Sequence, residues 1–175
     1  NRRGRRMLSN YENRLSVTKS MEFELSRDEL WDLISPPGNL NHNHPFCKSN
    51  EVISWGEDNH IDKLVYLNGR SYIRKFLSWE EGKGYSLSIG EENGPQSFVV
   101  WTIESIGIHS KLTITVYPFI LAKIPKFVAI IPHFLWVKPR LNSYLKSVLL
   151  GFKHFSLSGE IVPRNHFGKH PWFSD

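Results

Sequence analysis

Two histidines are the first residues in this chain whose type and spacing could support chemistry. His42 and His44 are separated by one residue, so in an extended segment both imidazoles would point the same way and could bind one metal ion. No third ligand stands at a convincing spacing, and His133 is the one remote option of interest. We therefore expect no metal here, and we retain His44 as a hydrogen-bonding or acid–base group at a cavity mouth.

A second set of candidates follows the Asn68-Gly69 dipeptide, which favours a two-residue hairpin turn. Such a turn would place Lys63 opposite Arg74, with Tyr72 on the same face as Arg74. If that face is internal, Tyr72 and Arg74 could hold a ligand carboxylate or phenolate inside an apolar wall. If it is external, Arg74 is simply solvated. We favour the external assignment and keep both residues as candidates.

Aromatic side chains, 13% of the residues, supply the other candidates for a cavity wall. Trp101 and Tyr117 lie in alternating segments, Phe134 and Trp136 could close a cavity, and Phe152 could form its floor. Ordinary core packing is the alternative interpretation for each of them. The ligand-binding candidates are therefore His44, Tyr72, Arg74, Trp101, Tyr117, Phe134, Trp136 and Phe152.

Familiar catalytic signatures are missing from the sequence. It contains no Gly-rich phosphate loop, no nucleophile elbow, no His-Glu-x-x-His helix and no cysteine pair. Catalytic residues therefore stay unassigned, and no cofactor is expected. The single cysteine, Cys47, allows no internal disulfide and suits a reducing cytoplasmic location.

The elements that must position these residues form a predicted antiparallel sheet. Residues Val17–Leu25 alternate between apolar and polar types, which is typical of a half-buried strand. Six further strand-like runs follow with short turns between them, which indicates a meander because parallel strands would need long crossovers. These runs are Glu51–Trp55, Ile61–Leu67, Arg70–Trp79, Tyr85–Ile89, Ser97–Glu104 and Lys111–Tyr117.

Two helices are predicted beside the sheet. Ser26 and Glu29 have the spacing of a capping box and begin a short helix that stops at Pro36-Pro37. A long helix is predicted from Pro139 to Gly159. One face of it carries an apolar stripe made of Leu141, Leu145, Val148, Leu149, Phe152 and Phe155.

The charge is concentrated at the start of the chain. The net charge is +5, but residues 1–16 hold five Arg and one Glu, so the remainder carries about +1. Because phosphate binding needs basic residues spread over a folded face, we expect no nucleic-acid partner and a flexible basic arm over residues 1–16. At the other end, the aromatic tail of residues 160–175 is expected to dock on the body or on a second subunit.

Residues 118–138 form an apolar insert with prolines at intervals of seven, at Pro118, Pro125, Pro132 and Pro139. Two lysines and three prolines between Pro118 and Val137 make a membrane span costly. One interpretation is a run of short kinked helices that closes the end of the sheet. The other is a mobile lid that guards a cavity or touches a lipid surface.

The order of these elements resembles the polyketide cyclase/START-related (SRPBCC) superfamily over about residues 17–159. The resemblance lies in Ser26–Leu40, with its Trp31-Asp32-Leu33-Ile34 and Pro36-Pro37-Gly38 motifs, and in Leu112–Val116 followed by the last helix. It implies an α+β helix-grip fold: about seven curved antiparallel strands around a long C-terminal helix. It also implies a cavity for lipid-, sterol- or polyketide-like molecules, as members commonly have.

The function expected from these features is the binding or carrying of a hydrophobic small molecule. A cyclase or dehydratase acting in the same cavity is the first alternative. It would need at least one buried titratable group there with a displaced pKa, with His44 or Tyr72 as examples. A protein-interaction module that uses the insert and tail is the second. Transient contact of the insert with a membrane surface, and a homodimer, are further expectations.

Overall fold

The computed structural model describes residue 11 and residues 14–175, and it contains one seven-stranded sheet with a long helix after the last strand. Most of the expected basic arm over residues 1–16 lies outside the described residues, which include only residues 11 and 14–16 of it. The strands are β1 (Val17–Phe23), β2 (Cys47–Trp55), β3 (His60–Tyr66), β4 (Ser71–Glu80), β5 (Gly84–Gly90), β6 (Ser97–Ile106) and β7 (His109–Tyr117).

The sheet is antiparallel throughout, as the short turns predict. Its strand order is β1-β7-β6-β5-β4-β3-β2, so six strands form a meander and the first strand adds beside the last. Two short helices connect β1 at one edge to β2 at the other: α1 (Arg27–Ile34) and α2 (Leu40–Asn43). The remaining helical elements follow β7 and are α3 (Lys126–Pro132), a π-helical segment (His133–Val137) and α4 (Lys138–Ser158).

The short helix α1 begins as its sequence predicts. The backbone N–H of Glu29 donates to the Ser26 hydroxyl oxygen at 3.2 Å, and this hydroxyl donates to the Glu29 carboxylate at 3.1 Å. The end of the helix is held to the sheet by Tyr85, whose hydroxyl donates to the carbonyl of Ile34 at 3.0 Å. Helix α1 is therefore fixed against the face of the sheet that carries the core.

The hairpin between β3 and β4 differs from its prediction by one residue. Its loop has three residues, because Tyr66 N–H bonds the carbonyl of Arg70 and Gly69 N–H bonds the carbonyl of Tyr66. Gly69 has φ +86°, the left-handed conformation that a three-residue hairpin with a bulge requires. Arg74 consequently faces Asp62, and the expected pairing with Lys63 is wrong.

The long helical run begins earlier than the predicted Pro139. Helices α3 and α4 continue into each other through the π-helical segment, so the run extends from Lys126 to Ser158. Pro139 has no N–H for the carbonyl of residue 135, and the helix widens immediately before it. Most of the Pro-spaced insert is thus the first part of this run. Gly159, with φ +68°, ends the helix as predicted.

Helix α4 packs its apolar stripe against the sheet and fills much of the core. Its buried face includes Leu141, Leu145, Val148, Leu149 and Phe152, as the sequence pattern predicts. Phe152 meets Trp101 of β6 edge to face, with ring centres 5.5 Å apart. The structure therefore has the predicted architecture of an antiparallel sheet around a C-terminal helix, and the site lies between the two.

Candidate functional site

A cavity of about 380 Å³ lies between the sheet and helix α4. Strands β3 to β7 supply one wall and α4 supplies the opposite wall, because alternate strand residues and one helix face point into the same space. Most of the lining is apolar, and it contains both aliphatic and aromatic side chains. Its aliphatic members on these elements are Leu64, Leu87, Ile89, Val99, Ile114, Val116, Leu141, Leu145 and Val148.

Arg74 enters this apolar wall as half of a buried ion pair. Its Nε donates to Asp62 Oδ1 at 2.7 Å, and its Nη2 donates to Oδ2 at 2.5 Å. Arg74 is 5% exposed and Asp62 is fully buried. Burial lowers the pKa of Arg74, but the charge and hydrogen bonds of Asp62 outweigh it and raise the pKa, so the Arg74 guanidinium stays charged. Together the two charges cancel inside the core.

A chain of hydrogen bonds links His44, Tyr144 and Tyr66 at the cavity wall. Phe46 N–H donates to His44 Nδ1 at 3.1 Å. A neutral His44 therefore carries its proton on Nε2, which donates to the hydroxyl of Tyr144 at 2.9 Å. The hydroxyl oxygens of Tyr144 and Tyr66 are also 2.9 Å apart. A backbone amide thus sets the histidine tautomer and the direction of the first bond.

Burial keeps all three of these side chains uncharged. Desolvation, followed by the charge of Arg74, lowers the pKa of His44 to about 3. Desolvation also raises the pKa of Tyr66 and of Tyr144. At neutral pH the cluster therefore holds a neutral imidazole and two protonated phenols.

Residues from the end of the chain close one side of the cavity. Phe173 stacks on Tyr66 with ring centres 4.2 Å apart and is 6% exposed. The Asn68 side chain donates to the carbonyl of Trp172 at 2.6 Å, and His170 Nε2 lies 2.8 Å from the carbonyl oxygen of Arg140. The aromatic tail therefore docks on the body, where Trp172 and Phe173 both line the cavity.

Five of the eight ligand-binding candidates line the cavity: His44, Tyr72, Arg74, Trp101 and Trp136. The favoured external assignment of the Tyr72 and Arg74 face is wrong, because both side chains are buried and point inward. The cause is the register of the hairpin, which pairs Arg74 with a carboxylate instead of with Lys63. Ligand binding by these five residues stays a prediction.

The other three candidates lie away from the cavity lining. Tyr117 is on the opposite face of β7 from the buried Ile114 and Val116, and its ring contacts Phe98. Phe134 is on the outer face of the π-helical segment and 51% exposed. Phe152 is fully buried in the core behind Trp101. The sequence around each of these three residues did not indicate which face of its strand or helix would meet the cavity.

Four residues of the site were not among the sequence candidates: Asp62, Tyr66, Tyr144 and Phe173. Period-two alternation puts Asp62 and Tyr66 on the face of Leu64, so the correct register would have found them. Tyr144 follows Leu141 by three residues and precedes Val148 by four, which places it beside the apolar stripe. Phe173 carries no comparable signal, because it belongs to no repeating element.

The two neighbouring histidines point in different directions. Residues 40–43 form helix α2, whereas an extended segment was expected, and His42 stacks on Phe155 with ring centres 5.9 Å apart. Within residue 11 and residues 14–175, no three His, Cys, Asp or Glu side chains are grouped so that they could hold a metal ion. Burial raises the pKa of the Cys47 thiol to about 12, so this cysteine is a poor nucleophile at neutral pH.

No protein-family model matches the chain, and no curated protein matches it. Solved structures do. A START superfamily protein from Mycobacterium smegmatis has a TM-score of 0.60 and 13% identity, and the match covers 79% of this chain and 94% of that one. Ara h 8.0201 has a TM-score of 0.59 and 13% identity, with 82% and 98% covered.

A protein from the dynemicin biosynthetic locus has a TM-score of 0.64 at 12% identity; the match covers 83% of this chain and 48% of that protein, about half its length. Identities this low carry the fold and nothing finer. The sheet order, the long C-terminal helix and these likenesses agree with the resemblance seen in the sequence. The chain therefore has the helix-grip fold that these solved structures share.

Proposed function

We propose that this protein binds or carries a hydrophobic small molecule between the sheet and helix α4. The observation that supports this most is the unfilled cavity of about 380 Å³ with its largely apolar wall. The cavity is a pocket that opens partly to solvent, which gives a small molecule a way in. It falls near the lower end of the roughly 300–1,000 Å³ typical of ligand pockets, which suits one small molecule.

Binding is favoured over catalysis by the pKa values in the cavity. Efficient general acids and bases have pKa values near the working pH. Here burial moves the pKa of His44 down to about 3 and the pKa values of Tyr66 and Tyr144 up, in both cases away from neutrality. These groups are therefore suited to hydrogen bonding rather than to proton transfer. A cyclase or dehydratase remains the alternative, supported by the displaced pKa of the buried His44, which is the kind of cavity group that such an enzyme was expected to need.

The test of the proposal is a thermal-shift panel of a fatty acid, a sterol and a polycyclic phenol. A ligand at 100 times its Kd stabilises the folded protein by about 2.7 kcal/mol, which raises Tm by several degrees. Replacing Ile114, which lines the cavity, with Phe should abolish the shift by filling the space. Leu112→Phe is the matched control, because Leu112 is equally buried on the same face of β7 but outside the lining. No shift with any apolar class would count against the proposal.

A second proposal concerns helix α3 and the π-helical segment, whose apolar stripe faces outward. Phe127, Ile130, Ile131, Phe134 and Leu135 follow one helical face and are 41–82% exposed. The opposite face is buried through Ala129, His133 and Val137. An amphipathic helix normally turns its apolar stripe toward the core, so this reversed arrangement calls for an apolar partner. We propose that the stripe inserts into the interfacial layer of a membrane.

Charge around the stripe matches an anionic bilayer. Lys123 and Lys126 precede it, and Lys138 and Arg140 follow it. The sequence has no acidic residue between Glu104 and Glu160. Basic residues beside an apolar helix face are the usual signature of interfacial binding. Within residue 11 and residues 14–175, none of the helices combines the length and apolar character that crossing a bilayer requires.

Vesicle co-sedimentation tests this second proposal. Wild-type protein should bind phosphatidylcholine vesicles containing phosphatidylglycerol, bind pure phosphatidylcholine more weakly, and be partly released by salt. Phe127→Glu with Leu135→Glu should abolish binding. Ile108→Glu is the control, because Ile108 is 85% exposed in the β6–β7 turn, away from the stripe. Equal binding by both variants would overturn the proposal.

Self-association stays a separate prediction. The tail of residues 160–175 docks on its own chain. Its aromatic residues therefore already make their contacts within one subunit. Size-exclusion chromatography of the full chain, with and without Phe127→Glu and Leu135→Glu, would show whether the apolar stripe also joins two copies. A dimer that these substitutions leave intact would exclude the stripe as its interface.

A further inference from the structure

The cluster of His44, Tyr144 and Tyr66 in the cavity wall has one more donor hydrogen than it has hydrogen bonds among its members. His44 Nε2, Tyr144 and Tyr66 supply three donor hydrogens. They share two bonds, one from His44 to Tyr144 and one between the two hydroxyls. Whichever phenol donates to the other, one phenolic hydrogen is left over. Within the described part of the chain, these two hydroxyls make no other hydrogen bond.

This spare hydrogen belongs to a side chain that lines the cavity. Tyr66 is 1% exposed, and both Tyr66 and Tyr144 line the cavity. A buried donor without a partner is costly, and an acceptor from a bound molecule would remove that cost. The rest of the wall is mostly hydrocarbon, with the hydroxyls of Tyr72 and Ser97 among its other neutral donors, so this corner is one of the few places where an oxygen of a ligand can be recognised. A ligand that lacked an acceptor would leave the hydrogen unpaired.

The charge of the surroundings selects a neutral acceptor over an anionic one. The charge of Arg74 is already matched by Asp62, which takes two hydrogen bonds from it. A ligand carboxylate at this depth would therefore be a third, unbalanced charge in a desolvated space. Arg70, the other cationic side chain of the lining, is exposed and lies at the rim. An anionic group would be stabilised at that rim rather than beside the phenols.

We infer that the ligand presents a neutral carbonyl oxygen to the Tyr66–Tyr144 pair and places its hydrocarbon part against the aliphatic wall. This inference rests on the proposed binding function and specifies its ligand class. His44 acts as a positioning residue, because its Nε2–H occupies a lone pair of Tyr144 and its own orientation is set by the Phe46 amide. The tyrosines touch the ligand.

Three naphthalenes of matched shape test the inference by isothermal titration. 2-Acetylnaphthalene carries the carbonyl, 2-ethylnaphthalene replaces it with a methylene, and 2-naphthoate replaces it with an anion. The ketone should bind wild-type protein about 3-fold to 10-fold more tightly than the hydrocarbon, the effect of one neutral hydrogen bond. A hydrocarbon that binds as tightly as the ketone would overturn the inference and leave the binding function standing. Failure of all three probes to bind would count against the binding function itself.

Tyrosine variants locate the donor. Tyr66→Phe and Tyr144→Phe each leave one phenolic hydrogen free, so either single variant should keep the preference for the ketone. The combined variant Tyr66→Phe, Tyr144→Phe and His44→Leu should reverse it, because it also removes the His44 Nε2–H that loss of the Tyr144 hydroxyl sets free, so the carbonyl would lose its water partners without replacement. Tyr85→Phe is the control: it removes a buried hydroxyl that is bonded to the Ile34 carbonyl and lies outside the lining, and it should leave the preference unchanged. A ketone preference that survives in the combined variant would contradict the assignment, and if that variant does not fold, the wild-type comparison decides alone.

Discussion

Arg74 and Asp62 face each other across β4 and β3 with both charges withdrawn from solvent. The residue types were visible in the sequence, but their pairing depended on a loop of three residues where two were expected. A one-residue slip moves every side chain of a strand to the other face relative to its partner. The Asn68-Gly69 dipeptide fits a two-residue loop and a three-residue loop equally well. Only the strand pairing of the whole sheet shows which of the two loops forms.

Asp62→Asn should destabilise the protein strongly. The substitution leaves the Arg74 guanidinium buried without its counter-ion, and breaking a buried pair from one side costs about 3–5 kcal/mol. Urea unfolding measures the change. Glu104→Gln is the control, since it removes the more exposed ion pair with Lys111 at 3.1 Å and should cost less than about 1 kcal/mol. Equal losses in the two variants would show that burial of the Arg74 pair is unimportant to stability.

His44 makes stability depend on pH in a defined direction. Its pKa is about 3 in the folded protein, against 6.5 for an unperturbed histidine, so between these values the unfolded chain binds more protons. Stability is therefore lost as pH falls below 6.5, by about 1.4 kcal/mol per unit for one fully coupled site, and the loss levels off near pH 3. The free energy of unfolding, measured with urea at a series of pH values, should change more steeply with pH in this window for the wild type than for His44→Gln. Parallel slopes would contradict the burial of a neutral His44.

At the scale of elements, the close approach of α4 to the segment after α2 holds the hydrogen-bonded cluster together. A Cβ at Gly151 would lie 2.1 Å from the carbonyl oxygen of Asn43 and 3.0 Å from Pro45 Cδ. Helix and segment carry Tyr144 and His44, so their spacing sets the bond between these side chains. The stripe on α4 was predictable because it repeats, whereas this single glycine contact was not.

Gly151→Ala should therefore destabilise the protein although alanine favours helices. Alanine gains at most about 1 kcal/mol in helix propensity, but overpacking against backbone costs about 1–3 kcal/mol. The altered spacing should also weaken ketone binding. Gly56→Ala is the control, because a Cβ at Gly56 meets nothing within 4 Å and its backbone needs no positive φ. A Gly151→Ala protein as stable as wild type would show that the contact can relax freely.

At the scale of the whole molecule, segments distant in the sequence enclose one cavity. Trp136 from the π-helical segment and Trp172 from the tail touch edge to face, with ring centres 5.8 Å apart, and both line the cavity. The sequence predicted the sheet, the helix and a docking tail, because these follow from periodicity and composition. It did not predict which aromatic rings meet, since no repeating pattern connects residues so far apart.

Phe173→Ala should both destabilise the protein and open the cavity. Removing a buried phenylalanine costs about 3–5 kcal/mol, and the stack on Tyr66 disappears. A bound ligand should then dissociate faster, which stopped-flow fluorescence measures. Phe167→Ala is the control, because Phe167 is only half-buried and lies outside the lining. Unchanged dissociation in Phe173→Ala would show that the tail does not confine the ligand.

The pairing of β1 with β7 carries a consequence for how the chain folds. Val17 lies opposite Val116, so this ladder joins the two ends of the strand series, while every other ladder joins neighbours in sequence. Closing so long a loop costs entropy before any contact compensates for it. The hairpins from β2 to β7 can form without β1, and β1 can add only to an edge that already exists. Until it does, β7 keeps an unpaired edge, and a second nascent chain could occupy the place meant for β1.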